Sequence, residues 1–236
     1  MKPLPPAQTY ERELEFMPYR DSIHRVVGII TRHAPKSGTV LDLMCGPGYL
    51  LGLVSRTRPD LSLQGVDIDP EYIKHARQKY PEHNFQLKDV LEYGSAEHFD
   101  VIACTGALHH IPYKRQEEVI QRMAYWLNPS GTAILSDCYI GDYSTEKERK
   151  LEAARLGYEY LKETIKNGAP DDVIQATADI ISNDVLADGE FKTSLAKRLP
   201  LMQKYFHNKI TTTRSWPRFA RDNMGDFITI LEGPKK

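Results

Sequence analysis

Hydrophobic residues between positions 39 and 140 fall into short runs that alternate with amphipathic stretches. Short runs rich in Val, Ile, Leu and Phe are typical of buried strands, whereas apolar residues three and four positions apart are typical of helices. A regular succession of strand and helix predicts βαβ units, and therefore a parallel sheet covered on both faces. The strands are expected at 39–43, 63–68, 84–90, 99–105 and 132–139, with helices at 49–57, 71–80 and 116–127.

The stretches before and after this alternation have different patterns. Residues 1–38 begin with a proline-rich start and become helical at about 21–32, so we expect a lead-in helix or cap there. Within about 141–207, three apolar stripes at helical spacing predict an inserted group of helices, which is too long for a simple connection and sufficient for a lid. Strand-like runs at 209–216 and 225–233 are close enough to form an antiparallel pair.

Together these elements predict an α/β fold with a doubly wound, mostly parallel, seven-stranded sheet. We expect an antiparallel last strand and a helical lid inserted between strands 5 and 6. The chain is then organised as the N-terminal lead-in over 1–38 and one domain over 39–236 that contains the lid.

Composition excludes several classes of protein. The 236 residues are 41% hydrophobic and 27% charged, which is typical of a globular chain and argues against disorder. The 31 Lys and Arg residues against 32 Asp and Glu residues give a formal net charge of −1, so no bulk attraction to nucleic acid or to an anionic membrane is expected. The apolar runs are far shorter than the roughly 18 to 20 residues of a membrane span, and the first residues lack an apolar signal region; we expect a cytoplasmic protein without a membrane partner.

The cysteines indicate neither a disulfide framework nor a metal site. There are three, Cys45, Cys104 and Cys138, and they lack CxxC or Cys/His spacing. Each follows or ends a predicted strand, and packing is the favoured interpretation. No metal is expected.

The turn after the first strand combines a buried acid with two glycines. Gly46 and Gly48 permit left-handed backbone and remove the Cβ atoms that would keep a ligand away from the main chain. Asp42 lies inside the predicted strand, where a carboxylate needs backbone N–H groups or the ammonium of a ligand to satisfy it. The second strand ends about twenty residues later at Asp67, where a carboxylate can accept both hydroxyls of a ribose. These signals indicate a nucleoside cofactor.

The spacing of the glycines distinguishes between cofactors. A dinucleotide turn follows G-x-G-x-x-G, but Leu51 occupies the third glycine position here. The pattern D-x-x-x-G-P-G that starts at Asp42 resembles motif I of the class I S-adenosylmethionine-dependent methyltransferases, which have a Rossmann-like fold. The resemblance covers roughly residues 39–140 motif by motif, and the last strand pair in layout only. Met44 stands where the commonest motif has glycine, so it must tolerate the geometry of the turn.

This resemblance implies S-adenosyl-L-methionine as cofactor, S-adenosyl-L-homocysteine as product, and a set of binding residues. Asp67 matches the acid that binds the ribose, Ile68 the apolar residue that packs on adenine, and Asp89 the acid near the adenine amino group. Tyr19 and Arg20 match a lead-in segment that meets the methionine carboxylate, although a solvated surface pair is the other interpretation. The expected cofactor-binding set is Tyr19, Arg20, Asp42, Cys45, Gly46, Pro47, Gly48, Asp67, Ile68, Asp89, Val90, Cys104 and Thr105.

Two histidines follow the fourth strand, and they are the candidate catalytic residues. Leu108-His109-His110 is close to the L-H-H pattern of the family's motif IV. Positioning of the reactants can supply about 7–11 kcal/mol, and a general base typically adds about 10²–10⁴-fold. His109 is the first candidate for the base because histidine titrates near neutral pH, with His110 and then Asp137 behind it. The alternative is that His109 packs or orients the substrate.

Charge in the C-terminal stretch leaves the acceptor open. From 192 to 221 there are eight Lys or Arg residues and no Asp or Glu, interleaved with aromatic residues. This segment suits an anionic substrate or RNA, but also a solvated helix face that pairs with the acidic part of the lid. We expect a methyltransferase for an O or N atom of a small-molecule metabolite, acting as a monomer or homodimer. The alternatives are a tRNA- or RNA-modifying enzyme of the same fold, an inactive cofactor-binding scaffold for a partner protein, and a nicotinamide oxidoreductase.

Overall fold

The computed structural model describes residues 7–218 and 222–235, which form a seven-stranded sheet flanked by helices. The proline-rich start and Arg221 of the basic segment lie outside the described residues. The strands are β1 (Thr39–Leu43), β2 (Ser62–Asp67), β3 (Asn84–Leu87), β4 (Phe99–Thr105), β5 (Leu127–Tyr139), β6 (Phe206–Trp216) and β7 (Gly225–Pro234). The helices are α1 (Ala7–Leu14), α2 (Tyr19–His33), α3 (Tyr49–Thr57), α4 (Pro70–Lys79), α5 (Gln116–Trp126), α6 (Glu146–Lys166), α7 (Asp171–Leu186) and α8 (Leu195–Tyr205).

The sheet has the strand order β3-β2-β1-β4-β5-β7-β6. β1 to β5 pair in parallel, whereas β7 is antiparallel to both β5 and β6. The order reverses beside β1, and such a switch point creates a crevice at the carboxyl ends of the strands. The predicted fold class is confirmed: the sheet is doubly wound and mostly parallel, its last strand is antiparallel, and a helical insertion lies between β5 and β6.

Two apolar layers cover the sheet. Val40, Val101 and Ile134 face α2, α3 and α4, whose apolar stripes complete one layer. Leu41 and Ile102 point the opposite way, toward α5 and α8. Successive strand residues alternate between the two faces, and both faces are buried, which explains the continuous apolar runs in the sequence.

The inserted helices α6 to α8 are anchored on the end of β5. Thr145 and Glu148 form a capping box that begins α6. Ala153 and Leu156 of this helix pack with Ile140, in a third cluster of buried apolar residues. Over residues 7–218 and 222–235, the structure has no helix that combines the length and the apolar character needed to cross a membrane.

Some element boundaries differ from those expected. Helix α1 occupies residues for which no helix was predicted, because an isolated helix of eight residues has little intrinsic stability and depends on packing. β5 begins at Leu127 rather than at 132, since its pairing jumps from Phe99↔Leu127 to Val101↔Thr132 and leaves 128–131 as an irregular bulge.

Candidate active site

The turn between β1 and α3 has three residues in left-handed backbone. Gly46 has a φ of 53° and Gly48 a φ of 82°, and a Cβ at Gly48 would lie 2.9 Å from the ring of Phe85. Met44, where a glycine is commoner, has a φ of 57°. Glycine suits two of these three positions because it has no Cβ to clash in left-handed backbone. Met44 adopts the same left-handed conformation at a cost in strain.

Two carboxylates meet behind this turn. Asp67 accepts hydrogen bonds from the backbone N–H groups of Gly46 at 2.8 Å and Asp69 at 2.9 Å. Asp42 is buried, and its Oδ1 has no hydrogen-bond partner among the described residues. Burial raises the pKa of Asp42 well above its usual range, and the neighbouring charge of Asp67 adds to the effect. A ligand with an N–H or ammonium group fits this unsatisfied oxygen.

The edge beyond the turn offers an apolar surface to a flat ring. Ile68 is 51% exposed and Leu87 is 45% exposed, which is high for apolar residues at strand ends. Asp89 accepts a hydrogen bond from the backbone N–H of Leu91 at 2.8 Å, while the following Val90 is buried. These residues lie at the carboxyl ends of β2 and β3, beside the two carboxylates behind the turn.

The remaining residues predicted around the turn are not all on the same side of the sheet. The Cys45 thiol lies near Asp42 and Asp67: burial raises its pKa well above the usual range, and both charges contribute. Cys104 packs with the α5 layer on the opposite face. Pro47 is buried in the turn and Thr105 is half-buried at the end of β4. The structure therefore brings Cys45, but not the thiol of Cys104, to the turn.

Helix α1 packs against α4 near this turn, which the sequence pattern did not predict. The ring of Tyr10 lies 5.8 Å from that of Tyr72 in α4, between centroids. Burial raises the pKa of Tyr10, and the charges of Asp42 and Asp67 add to the effect. The sequence contains one signal for this contact, the aromatic residue Tyr10 in the lead-in. The position of Tyr10 in the structure depends on how α1 packs against α4, which the sequence pattern does not indicate.

Tyr19 and Arg20 are neighbours in sequence that occupy different places. The Tyr19 ring lies against the backbone of Gly106, where an added Cβ would be 2.7 Å from the tyrosine oxygen. Arg20 is exposed and lines an outer cleft, with its guanidinium 3.5 Å from the carbonyl oxygen of Glu15. Successive residues of a helix point in directions about 100° apart, so only one of the two turns toward the end of β4.

His109 lies in a buried network at the end of β4. Its Nδ1 lies 2.5 Å from Oδ1 of Asp137, and it donates the proton because an ionised carboxylate only accepts. The other oxygen of Asp137 accepts from Arg198, which also donates to Gln116 at 2.7 Å. Burial by itself would raise the pKa of Asp137, but His109 and Arg198 outweigh it and hold that pKa below its usual range.

A second set of charges joins this network to the loop after α7. Glu190 lies 3.3 Å from Nε2 of His109 and 3.4 Å from Nδ1 of His110, and it accepts from Lys192 at 2.5 Å. Lys192 also donates to Asp184 at 2.7 Å. Burial lowers the pKa of His109, and the charge of Asp137 opposes that effect. The sequence reasoning missed Glu190, Lys192 and Arg198 as neighbours of the histidines.

These features define a class of protein. A sheet in this order with an antiparallel seventh strand, a glycine turn after β1 and an acid at the end of β2 form the Rossmann-like methyltransferase architecture. A family model described as a methyltransferase domain matches residues 40–131. The fold and this match identify residues 40–131 as a methyltransferase domain.

Individual relatives are distant. Trans-aconitate 2-methyltransferase from Variovorax paradoxus is 30% identical over 98 residues, which make up 41% of this chain and 37% of that protein, so the chain matches well under half of this relative's length. A TehB-like SAM-dependent methyltransferase from Corynebacterium glutamicum has a TM-score of 0.58 at 16% identity, covering 88% of this chain and 86% of that one. The N-methyltransferase NodS from Bradyrhizobium japonicum, solved with S-adenosyl-L-homocysteine, has a TM-score of 0.59 at 14% identity, covering 97% and 98%.

Proposed function

We propose that this protein is a methyltransferase that transfers the methyl group of S-adenosyl-L-methionine to an O or N atom of a small molecule. The observation that carries the proposal is the turn after β1, where Asp42 and Asp67 meet beside Gly46 and one buried oxygen of Asp42 has no hydrogen-bond partner in the described part of the chain. When bound, the cofactor supplies a methyl group on a sulfonium, which carries its own driving force.

The residues of the crevice fit the parts of this cofactor. Asp67 keeps lone pairs for two ribose hydroxyls after accepting its two backbone hydrogen bonds. The exposed side chains of Ile68 and Leu87 offer an apolar face to the adenine ring. Asp42 offers its free oxygen to the ammonium of the methionine part, and Tyr10 covers the crevice from α1. The residues thus bind and orient the cofactor and exclude water.

The ion pairs made by cations of the basic segment favour a small acceptor over RNA. Lys192 and Arg198 are buried and paired with carboxylates, and Lys204 donates to Glu117 at 2.5 Å. These cations are consequently not part of a free basic surface that could track a phosphate backbone. Strong, salt-dependent retention of RNA by the purified protein would support the RNA-modifying alternative instead. We also propose that the protein is cytoplasmic and acts as a monomer or homodimer.

Isothermal titration calorimetry with S-adenosyl-L-methionine, S-adenosyl-L-homocysteine and NADH tests the proposal directly. We expect heat from the first two ligands and none from NADH. Asp67→Asn should weaken binding of both by at least about 10-fold, because a ribose-binding carboxylate is lost. Asp179→Asn, an exposed position on α7, is the matched control. Binding of NADH alone would assign the crevice to an oxidoreductase, and tight cofactor binding without transfer to any acceptor pool would favour the scaffold alternative.

A further inference from the structure

A cleft opens on the surface between the α1–α2 junction, α6 and the end of β6. Its volume is about 340 Å³, and Trp216 forms part of its wall. Three of the four charged side chains that line it are carboxylates, Glu15, Asp21 and Glu163; the fourth is Arg20. Arg218 lies 3.6 Å from Asp21 at the rim. Lys166 lies 3.2 Å from Glu163, so two of the three carboxylates have a cationic partner and the cleft combines an aromatic wall with paired charges.

A second ring and a buried acid lie behind Trp216, in the interior of the protein. The rings of Trp216 and Tyr160 are 4.8 Å apart between centroids, at an interplanar angle of 77°. The Tyr160 hydroxyl donates a hydrogen bond to Oδ1 of Asp226. Asp226 and Trp216 are also paired directly across β6 and β7, so the three residues form one continuous group.

Asp226 is completely buried and only partly satisfied. Its Oδ2 has no hydrogen-bond partner in residues 7–218 and 222–235. Burial raises the pKa of Asp226 to about 7; the hydrogen bond from Tyr160 opposes that rise, and the charge of Asp137 adds to it. A buried carboxylate with a free oxygen is costly in the absence of a cation or donor, and this indicates a missing polar partner.

Tyr19 connects this group to the crevice of the proposed cofactor. Its ring lies on Gly106, directly after β4. Burial raises the pKa of Tyr19 well above the usual range, and Tyr10 and Asp226 are among the neighbours that add to the rise. Asp226 is paired with Cys138 across β5 and β7, and Cys138 Sγ lies 3.7 Å from Nδ1 of His109. A molecule held beside Asp226 is therefore close to the buried network around His109.

We propose that the acceptor is a cationic amine, which enters through this cleft past Trp216 and whose ammonium group is bound by Asp226 and the faces of Tyr160 and Trp216. This inference rests on the proposed function and adds the substrate class. The rings favour an ammonium over a neutral group, and the free carboxylate oxygen accepts its N–H. Neither an alcohol nor a carboxylate gains from both features.

The chemistry balances without another reactant. Oδ2 of Asp226 accepts a proton from the incoming ammonium, which leaves a neutral amine with a lone pair. The amine nitrogen forms a bond to the methyl carbon as the carbon–sulfur bond breaks, with the electron pair of that bond remaining on sulfur. Asp226, now protonated, releases its proton to solvent. The nitrogen carries the positive charge as soon as its bond to the methyl carbon has formed, so the methylated product leaves as an ammonium cation without further protonation.

Binding can be followed without catalysis through tryptophan fluorescence. The chain has two tryptophans, so Trp126→Phe leaves Trp216 as the reporter. We expect benzylamine, added to this variant saturated with S-adenosyl-L-homocysteine, to change the emission, and benzyl alcohol and benzoate to bind at least about 10-fold more weakly. Adding Asp226→Asn should weaken benzylamine binding by at least about 10-fold, whereas the exposed Asp222→Asn, with the same change in charge, should not.

Radiolabelled methyl transfer to the same three compounds by the unmodified protein gives a second readout that needs no variant. Transfer to benzylamine alone supports the inference. Transfer to benzyl alcohol or benzoate in its place, equal binding of all three compounds, absence of benzylamine binding, or indifference to Asp226→Asn would overturn it. Failure of the proposed function is recognised separately, because calorimetry would then detect no binding of S-adenosyl-L-methionine while the amine could still bind at Trp216.

Discussion

Asp226 makes the stability of the protein depend on pH in an unusual direction. Its pKa is raised by burial from an ordinary value of 3.8 to about 7, so the folded protein retains a proton that the unfolded chain releases between these values. The contribution of this residue to stability therefore falls as pH rises through that interval, and the full cost applies above pH 7. The same cost would be offset by a bound cation.

Replacing Asp226 with Asn should remove this pH-dependent cost. Asn is neutral and can still accept the hydrogen bond from Tyr160, so we expect Asp226→Asn to be more stable than the unmodified protein by about 4 kcal/mol near pH 8 and by only about 1–2 kcal/mol near pH 5. Urea unfolding at the two pH values measures the difference, with Asp222→Asn as control. An equal difference at both pH values would contradict the assigned protonation.

His109 as the catalytic base is still a prediction. Both ring nitrogens face carboxylates, Asp137 at 2.5 Å and Glu190 at 3.3 Å, so the imidazole is held in one orientation. We expect His109→Ala to lower turnover by well over 10-fold and to leave cofactor affinity nearly intact, with exposed His207→Ala as the control. Added imidazole should restore rate if His109 is a base and should have no effect if it only orients the substrate; unchanged turnover would reject both roles.

At the scale of elements, the turn between β1 and α3 depends on its second glycine. Gly48 has a φ of 82°, and a Cβ there would lie 2.9 Å from Phe85. Gly48→Ala should destabilise the protein by about 2 kcal/mol and weaken cofactor binding, because the turn has to shift. Gly94→Ala, where nothing in the described residues lies within 4 Å of the added Cβ, is the control for calorimetry and thermal unfolding. If both variants lost the same stability and cofactor affinity, the left-handed backbone at Gly48 would not be the cause of the loss.

Helix α1 is held over the crevice by contacts with α4, and its main contribution to the site is Tyr10. Lys79 donates to Glu11 at 2.7 Å, and the rings of Tyr10 and Tyr72 are in contact. Tyr10→Ala should reduce affinity for S-adenosyl-L-homocysteine by about 10-fold, since an aromatic cover is lost. Tyr158→Ala on α6, where the ring is 62% exposed, is the matched control in the same titration. An unaffected affinity would mean that α1 does not cover the bound cofactor.

At the scale of the whole molecule, buried charges tie the inserted helices to the sheet. Arg198 of α8 donates to Asp137 of β5, and both are completely buried. Lys192 and Glu190 extend this network from the loop after α7 to His109. The position of the insertion is therefore fixed by paired charges as well as by apolar packing, and its removal from the sheet would leave charges uncompensated.

Breaking this connection should be costly. Arg198→Met leaves Asp137 with one charged partner fewer in a buried site, so we expect a loss of about 3–5 kcal/mol in the free energy of unfolding. The neighbouring Lys197→Met, which is exposed and loses only a contact 4.6 Å from the ring of Tyr143, should cost under about 1 kcal/mol. Denaturant unfolding compares the two variants, and similar losses would show that the buried pair does not anchor the insertion.

The sequence determined the alternation of strands and helices, the antiparallel final pair and the inserted helices, because hydrophobic periodicity is a local property that records which face of each element is buried. It also identified the glycine turn and the acid at Asp67, since backbone geometry at Gly48 and a carboxylate at a strand end leave local signals. The glycine turn and Asp67 lie at the same edge of the sheet because the carboxyl ends of parallel strands meet there.

Tertiary structure alone decided the partners of the polar residues. Tyr160 and Asp226 are 66 positions apart and Asp137 and Arg198 are 61 apart, with no local pattern to join them. No sequence pattern predicted the packing of α1 against α4 or the separation of Tyr19 from Arg20. A buried polar group selects its partner by three-dimensional proximity and by the cost of leaving it unsatisfied, and that cost exists only once the whole chain has packed.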